Sequence, residues 1–177
     1  MSPLRRLVRC ESGYSLIELL QVTVILAVIL GALTTVFVRA MNSEVEMNRR
    51  FQAQQEARLA VDKMRREIHC ASAVTPSGAS SSITVTLPAQ CPSAGGSQVA
   101  VVYDTQLVST NRYRLRRAGV RIADYITSGT VFNYALPATG KLANLRVELP
   151  VNLKSSETGK AWRLVADIVL RNTVRLS

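Results

Sequence analysis

From Leu19 to Val38 the chain runs for 20 residues without a charge. At about 1.5 Å per helical residue that is about 30 Å, the thickness of one bilayer core. Glu18 stands at the head of this run. A carboxylate just inside hydrocarbon is costly unless something pairs with it. The run therefore predicts a membrane-spanning helix whose acid has a partner.

The residues leading in are Gly13-Tyr14-Ser15-Leu16-Ile17-Glu18-Leu19-Leu20. They resemble the prepilin processing motif shared by type IV pilins, type II secretion pseudopilins and competence pilins. That motif reads Gly, an aromatic residue or Met, then Thr/Ser-Leu-Ile-Glu-Leu. The chain departs from it at Tyr14, where Phe is commonest. It departs again at Thr35, where major pilins often carry a helix-bending proline, and Gln21 and Thr23 are more polar than usual.

The resemblance implies cleavage between Gly13 and Tyr14 by a prepilin peptidase and N-methylation of the new Tyr14 amine. It also makes Glu18 the assembly residue. A glycine at the cut lets the extended backbone approach the catalytic carboxylates of the peptidase closely. The Tyr14 amine would remain cationic in or beside the bilayer, where Glu18 of a neighbouring subunit can pair with it. In low dielectric an unmatched ion is strongly penalised and a matched one is not.

An ordinary secretory signal is the alternative for the N-terminus, and Arg5, Arg6 and Arg9 supply its basic start. Its apolar region would be shorter, however, and followed by a small-residue cleavage site. The same arginines place the N-terminus in the cytoplasm by the positive-inside rule. The expected location is thus the bacterial cytoplasmic membrane, crossed once, with the remainder periplasmic or extracellular. Cys10 lies in the leader, leaving Cys70 and Cys91 as a pair in a compartment that permits disulfides. The alternative is two free buried thiols. His69 adjoins Cys70, but no second ligand pair has metal-site spacing, and no cofactor is expected. The net charge is +10, and a leader carrying three Arg against Glu11 takes +2 with it. The excess favours acidic partners such as DNA, wall polymers or anionic lipid.

Beyond Val38, Asn42 to Ala73 contains no Gly or Pro and is rich in helix formers. Met47, Phe51, Gln54, Ala57, Val61, Met64, Ile68 and Ala71 recur at three- and four-residue steps, which is one amphipathic face. Glu46, Arg49, Arg50, Glu56, Lys63 and Glu67 fall opposite. Pro76 and Gly78 end the helix, and Thr75 to Ser82 reads as a linker. The period then changes to two. Ile83-Val85-Leu87, Val99-Val101-Tyr103, Tyr113-Leu115, Val131 to Leu136, Leu145-Val147-Leu149 and Trp162 to Leu170 read as strands. Turn signals at Pro92–Gly96, Ala118-Gly119, Ser128-Gly129, Pro137–Gly140 and Ser155–Gly159 separate them. Close spacing with no intervening helix predicts an antiparallel sheet. The expected fold is α+β and pilin-like, a long N-terminal helix packed on that sheet. Its expected parts are a cleaved leader (1–13), a transmembrane or filament-core helix (14–38), an amphipathic half (39–75) and a β domain (76–177).

Gln54-Gln55-Glu56-Ala57-Arg58-Leu59-Ala60, Met64-Arg65-Arg66-Glu67-Ile68 and Leu170-Arg171-Asn172 resemble the minor pseudopilin J / minor pilin W group. Members of that group cap or prime filaments. The expected function is therefore a structural subunit that initiates, caps or decorates such a filament, with other pilins or pseudopilins, the peptidase and membrane lipid as partners. No enzyme signature is present. Arg112, Arg114, Arg116, Arg117 and Arg121 form the densest basic cluster, with Tyr113 and Tyr125 nearby. The cluster is either a solvated face protecting an edge strand or an anion and DNA site. The second option makes the rival reading a DNA-uptake receptor on a competence filament. A membrane-anchored domain that never assembles is a further rival.

Overall fold

The computed structural model describes residues 15–154 and 161–172. Gly13, Tyr14 and the turn expected at Ser155–Gly159 lie outside the described residues. One helix, α1 (Leu16–Cys70), opens the structure, and strands β1 to β9 follow. The chain divides into two compact units, Met1–Glu46 and Met47–Ser177.

In the first unit, the described residues are helical from Leu16 onward. Its large aliphatic side chains among the described residues are all exposed, from Leu16 at 83% to Ile29 and Val38 at 50%. The helix contains a window of mean hydropathy 2.5, none of it buried, and is a candidate single membrane span. Thr23, Thr34 and Thr35 return their hydroxyls to the carbonyls of Leu20, Leu30 and Ala32. A polar group in an apolar run is in this way satisfied within the helix itself.

In the second unit, α1 packs on a curled antiparallel sheet. Ala53, Ala57, Ala60, Val61, Met64 and Ile68 are buried at helical spacing against Ile83, Val85, Leu87, Val101, Leu115, Leu145, Val147 and Leu149. Each buried Leu or Ile contributes about 1.5–3 kcal/mol relative to exposure. The anticipated face is realised only in its later part. Met47 and Phe51, expected in the core, are 66% and 57% exposed. Glu67, expected on the polar face, is buried. The helix ends at Cys70, five residues short of the expected 39–75 half. There Asn172 Nδ2 donates to the Cys70 carbonyl (2.8 Å) and His69 Nδ1 donates to the Val169 carbonyl (2.8 Å). The Cys70 carbonyl, unpaired within the last helical turn, thus gains a partner near the far end of the chain.

The sheet runs β1 (Ala73–Thr75), β3 (Ser82–Leu87), β4 (Val99–Ser109), β5 (Arg112–Arg117), β6 (Val120–Ile126), β8 (Asn144–Val151), β7 (Phe132–Ala135), β2 (Gly78–Ser80). β9 (Trp162–Val169) pairs the other side of β8 along its whole length. β1 therefore stands where the last turn of the helix was expected, and the segment expected as a linker holds β2. β1 pairs with β3, and β2 pairs with β7 at the opposite end of the order. Only backbone groups make these pairs, so Ser, Gly and Ala there carry no alternating signal. β6 is a further strand that the period of two does not announce. Its alternation is interrupted by register shifts against β5 and by the buried Asp124. The β5–β6 hairpin turns on Ala118 and Gly119, both at positive φ (47° and 79°). A two-residue hairpin that follows the twist of its strands requires that conformation.

Candidate functional site

Beside the Cys70–Cys91 pair, two places carry the sequence-predicted site residues. The first is the helix head. The Ser15 carbonyl accepts from the N–H groups of Glu18 (3.0 Å) and Leu19 (3.2 Å), which sets Glu18 in the first turn of α1. The helix dipole favours an acid there. The Glu18 side chain is exposed, and no cation pairs with it among the described residues. Its apolar neighbours Leu16, Ile17, Leu19 and Leu20 are exposed as well.

Cys70 and Cys91 are joined by a disulfide, with their Cα atoms 5.9 Å apart. The bridge ties the last residue of α1 to the loop between β3 and β4. The Cys91 carbonyl accepts from Ala94 N–H in the short turn that follows (2.9 Å).

The second place is the arginine cluster. β5 carries four of the five arginines, and it lies inside the sheet between β4 and β6. The edge-protecting role is thereby corrected, because this strand has no free edge along its length. The cluster also proves to be threaded with acids from other strands. Arg112 grips Asp124 with two hydrogen bonds, Nε to Oδ1 (3.1 Å) and a terminal nitrogen to Oδ2 (3.0 Å). Arg114 Nε reaches the same Oδ2 at 3.0 Å, and Arg121 approaches it at 3.5 Å. Tyr125 N–H donates to Oδ1 (2.7 Å), and the Arg112 guanidinium lies 4.1 Å from the centre of the Tyr125 ring. Burial alone would raise the Asp124 carboxyl. The bonds from Arg112, Tyr125 N–H and Arg114 outweigh it and hold the group below its usual range. Asp124 in return raises Arg112.

Arg116 pairs with Asp104 on β4. Arg117 is on the opposite face of β5 and turns toward the helix, where it donates to Glu67 at 3.0 and 2.8 Å. The Tyr103 hydroxyl donates to the other oxygen of Glu67. Burial and then this bond raise the Tyr103 hydroxyl far above its usual value, so it stays a neutral donor. The contiguous run in the sequence thus serves three separate acids. Sequence reasoning does not single out Asp104, Asp124, Glu67 or Tyr103. The only local hint is an acid in the apolar strand pattern around Asp124, since the partners are brought together by strand pairing.

Compared with protein-family models, with curated proteins and with solved structures, the chain finds no match.

Proposed function

We propose that the protein is a minor pilin or pseudopilin. It is a structural subunit that is trimmed by a prepilin peptidase between Gly13 and Tyr14, methylated on Tyr14, and built into or onto a short filament. The observation that carries this reading is Glu18. It heads a run apolar enough to span a bilayer, it is exposed, and the described residues hold no cation for it. An acid in that setting needs a countercharge from elsewhere. The Tyr14 amine of a neighbouring subunit is of the right sign, four residues before Glu18 in the sequence. The α+β outer unit and the Cys70–Cys91 bridge suit a domain exposed beyond the membrane.

Co-expression with a prepilin peptidase, followed by intact-mass measurement, tests the reading. The expected mass is that of a chain beginning at Tyr14 with an added methyl group, and Gly13→Asp abolishes the cut. A chain that keeps Met1, or is cut beyond Val38, refutes it. The DNA-uptake alternative draws on the arginine cluster, of which Arg116 and Arg117 are committed to Asp104 and Glu67.

A further inference from the structure

Arg112, Arg114 and Arg121 share one carboxylate, that of Asp124, which is 1% exposed. Three guanidinium groups against one acid leave two positive charges in a small space. These charges are not mobile surface charges. Asp124 fixes Arg112 in two-point geometry, and the Tyr125 ring fixes its plane. Arg114 spends only Nε on Asp124, and Arg121 only one terminal nitrogen. Their remaining N–H donors have no partner among the described residues. The side chains of Arg112, Arg114 and Arg121 are 32%, 38% and 54% exposed, so those donors are open to solvent.

We infer that Arg112, Arg114 and Arg121, aligned by Asp124, form a binding site for a single phosphate-type oxyanion. Planar guanidiniums match phosphate oxygens in two-point geometry. Here the entropy of ordering them is already spent in the folded chain. The excess charge is compact. Arg116 and Arg117 are neutralised by their own acids, as are Arg146 by Asp167 and Arg163 by Glu148 on β8 and β9. A single phosphate group fits this distribution, whereas a nucleic-acid strand calls for a row of unneutralised cations. The inference is independent of the filament reading.

The test uses the full chain in an uncharged detergent, with inorganic phosphate as one probe and glycerol phosphate as the other. Arginine side-chain N–H signals are followed by NMR as each probe is added at constant ionic strength, at a pH where phosphate is doubly charged. The expected result is saturable movement of the Arg114 and Arg121 signals while those of Arg116 and Arg117 stay in place. Equal binding of the two probes assigns the site to phosphate itself, and tighter binding of the ester assigns it to a headgroup-like phosphate. Arg114→Gln with Arg121→Gln is expected to weaken binding about a hundredfold, or roughly tenfold for each charge-assisted hydrogen bond removed. Arg116→Gln is expected to leave it unchanged. Absence of saturable movement in the wild-type chain overturns the site, whether or not the double variant folds. So does equal affinity in a folded double variant. Binding seen only with a single-stranded oligonucleotide, with Arg116 and Arg117 also responding, would replace the single-phosphate site with a nucleic-acid face.

Discussion

Glu18 and Glu67 lie on the same helix, and their surroundings differ in every respect. Glu67 is buried, accepts from Arg117 and Tyr103, and sits among core residues of its own chain. Glu18 is exposed among aliphatic side chains, without a cation among the described residues. The first acid answers a question posed by this chain's own sheet. The second is left open by the described residues, as are the aliphatic side chains around it. A buried charge that is fully matched inside one unit holds that unit together. An acid beside an apolar run that none of the described residues covers is a feature for an environment supplied from outside.

The sharpest way to break this comparison is to remove each carboxylate in turn. Glu67→Ala should strand Arg117 beside the core and cost about 3–5 kcal/mol of stability, read by denaturant unfolding of the disulfide-intact chain. Glu18→Gln should leave the same unfolding curve in place and lower recovery of the protein in crosslinks to partner subunits. If Glu18→Gln proves as destabilising as Glu67→Ala, the contrast between them is wrong. Core truncation draws the same line on the apolar side. Met64→Ala, at a fully buried position, should cost about 2–5 kcal/mol, and Leu26→Ala, at an exposed one, should not move the unfolding midpoint.

Cleaving the Cys70–Cys91 bridge should cost about 3 kcal/mol, measured by unfolding with and without reductant. Alkylation of the unreduced protein should leave both Cys70 and Cys91 unmodified. The smallest expected effect is the acid dependence of Asp124. Its folded value lies below the ordinary 3.8, so the unfolded chain takes up the proton first as pH falls. The stabilisation is fully present above the unfolded value and is lost as pH falls through the folded one. Asp124→Asn should therefore flatten the stability curve in strongly acid solution and lower it near neutrality. Unfolding midpoints measured across that range check the sign.

Much of this was legible in the residues. The uncharged run, the change of period from helix to strand and the strand alternation at Ile83-Val85-Leu87 all read directly, because burial on one face leaves a periodic trace. The cysteine pair followed from counting. Glu67 did not read, since a helical wheel assigns any acid to water, and its partners stand on β4 and β5. Met47 and Phe51 share the apolar period, but buried positions on α1 begin only at Ala53. Among the arginines, proximity along the chain was visible and commitment was not. Which of them face Asp124, Asp104 or Glu67 depends on strand register and on the bulges in β5 and β6.

The bridge at the end of α1 has a mechanical corollary. Tension drawn along the helix arrives at Cys70, the last residue of α1. From there it has two covalent routes, the backbone from Ala71 to Gln90 and the sulfur link straight to Cys91. The link is far the shorter and becomes taut first. β1, β2 and β3 all lie on the slack route, shielded from a pull on the helix, and load passes into the sheet at the start of β4. With the link cut, the same pull would act on the three-residue pairing of β1 with β3, peeling the sheet from one of its two shortest strands.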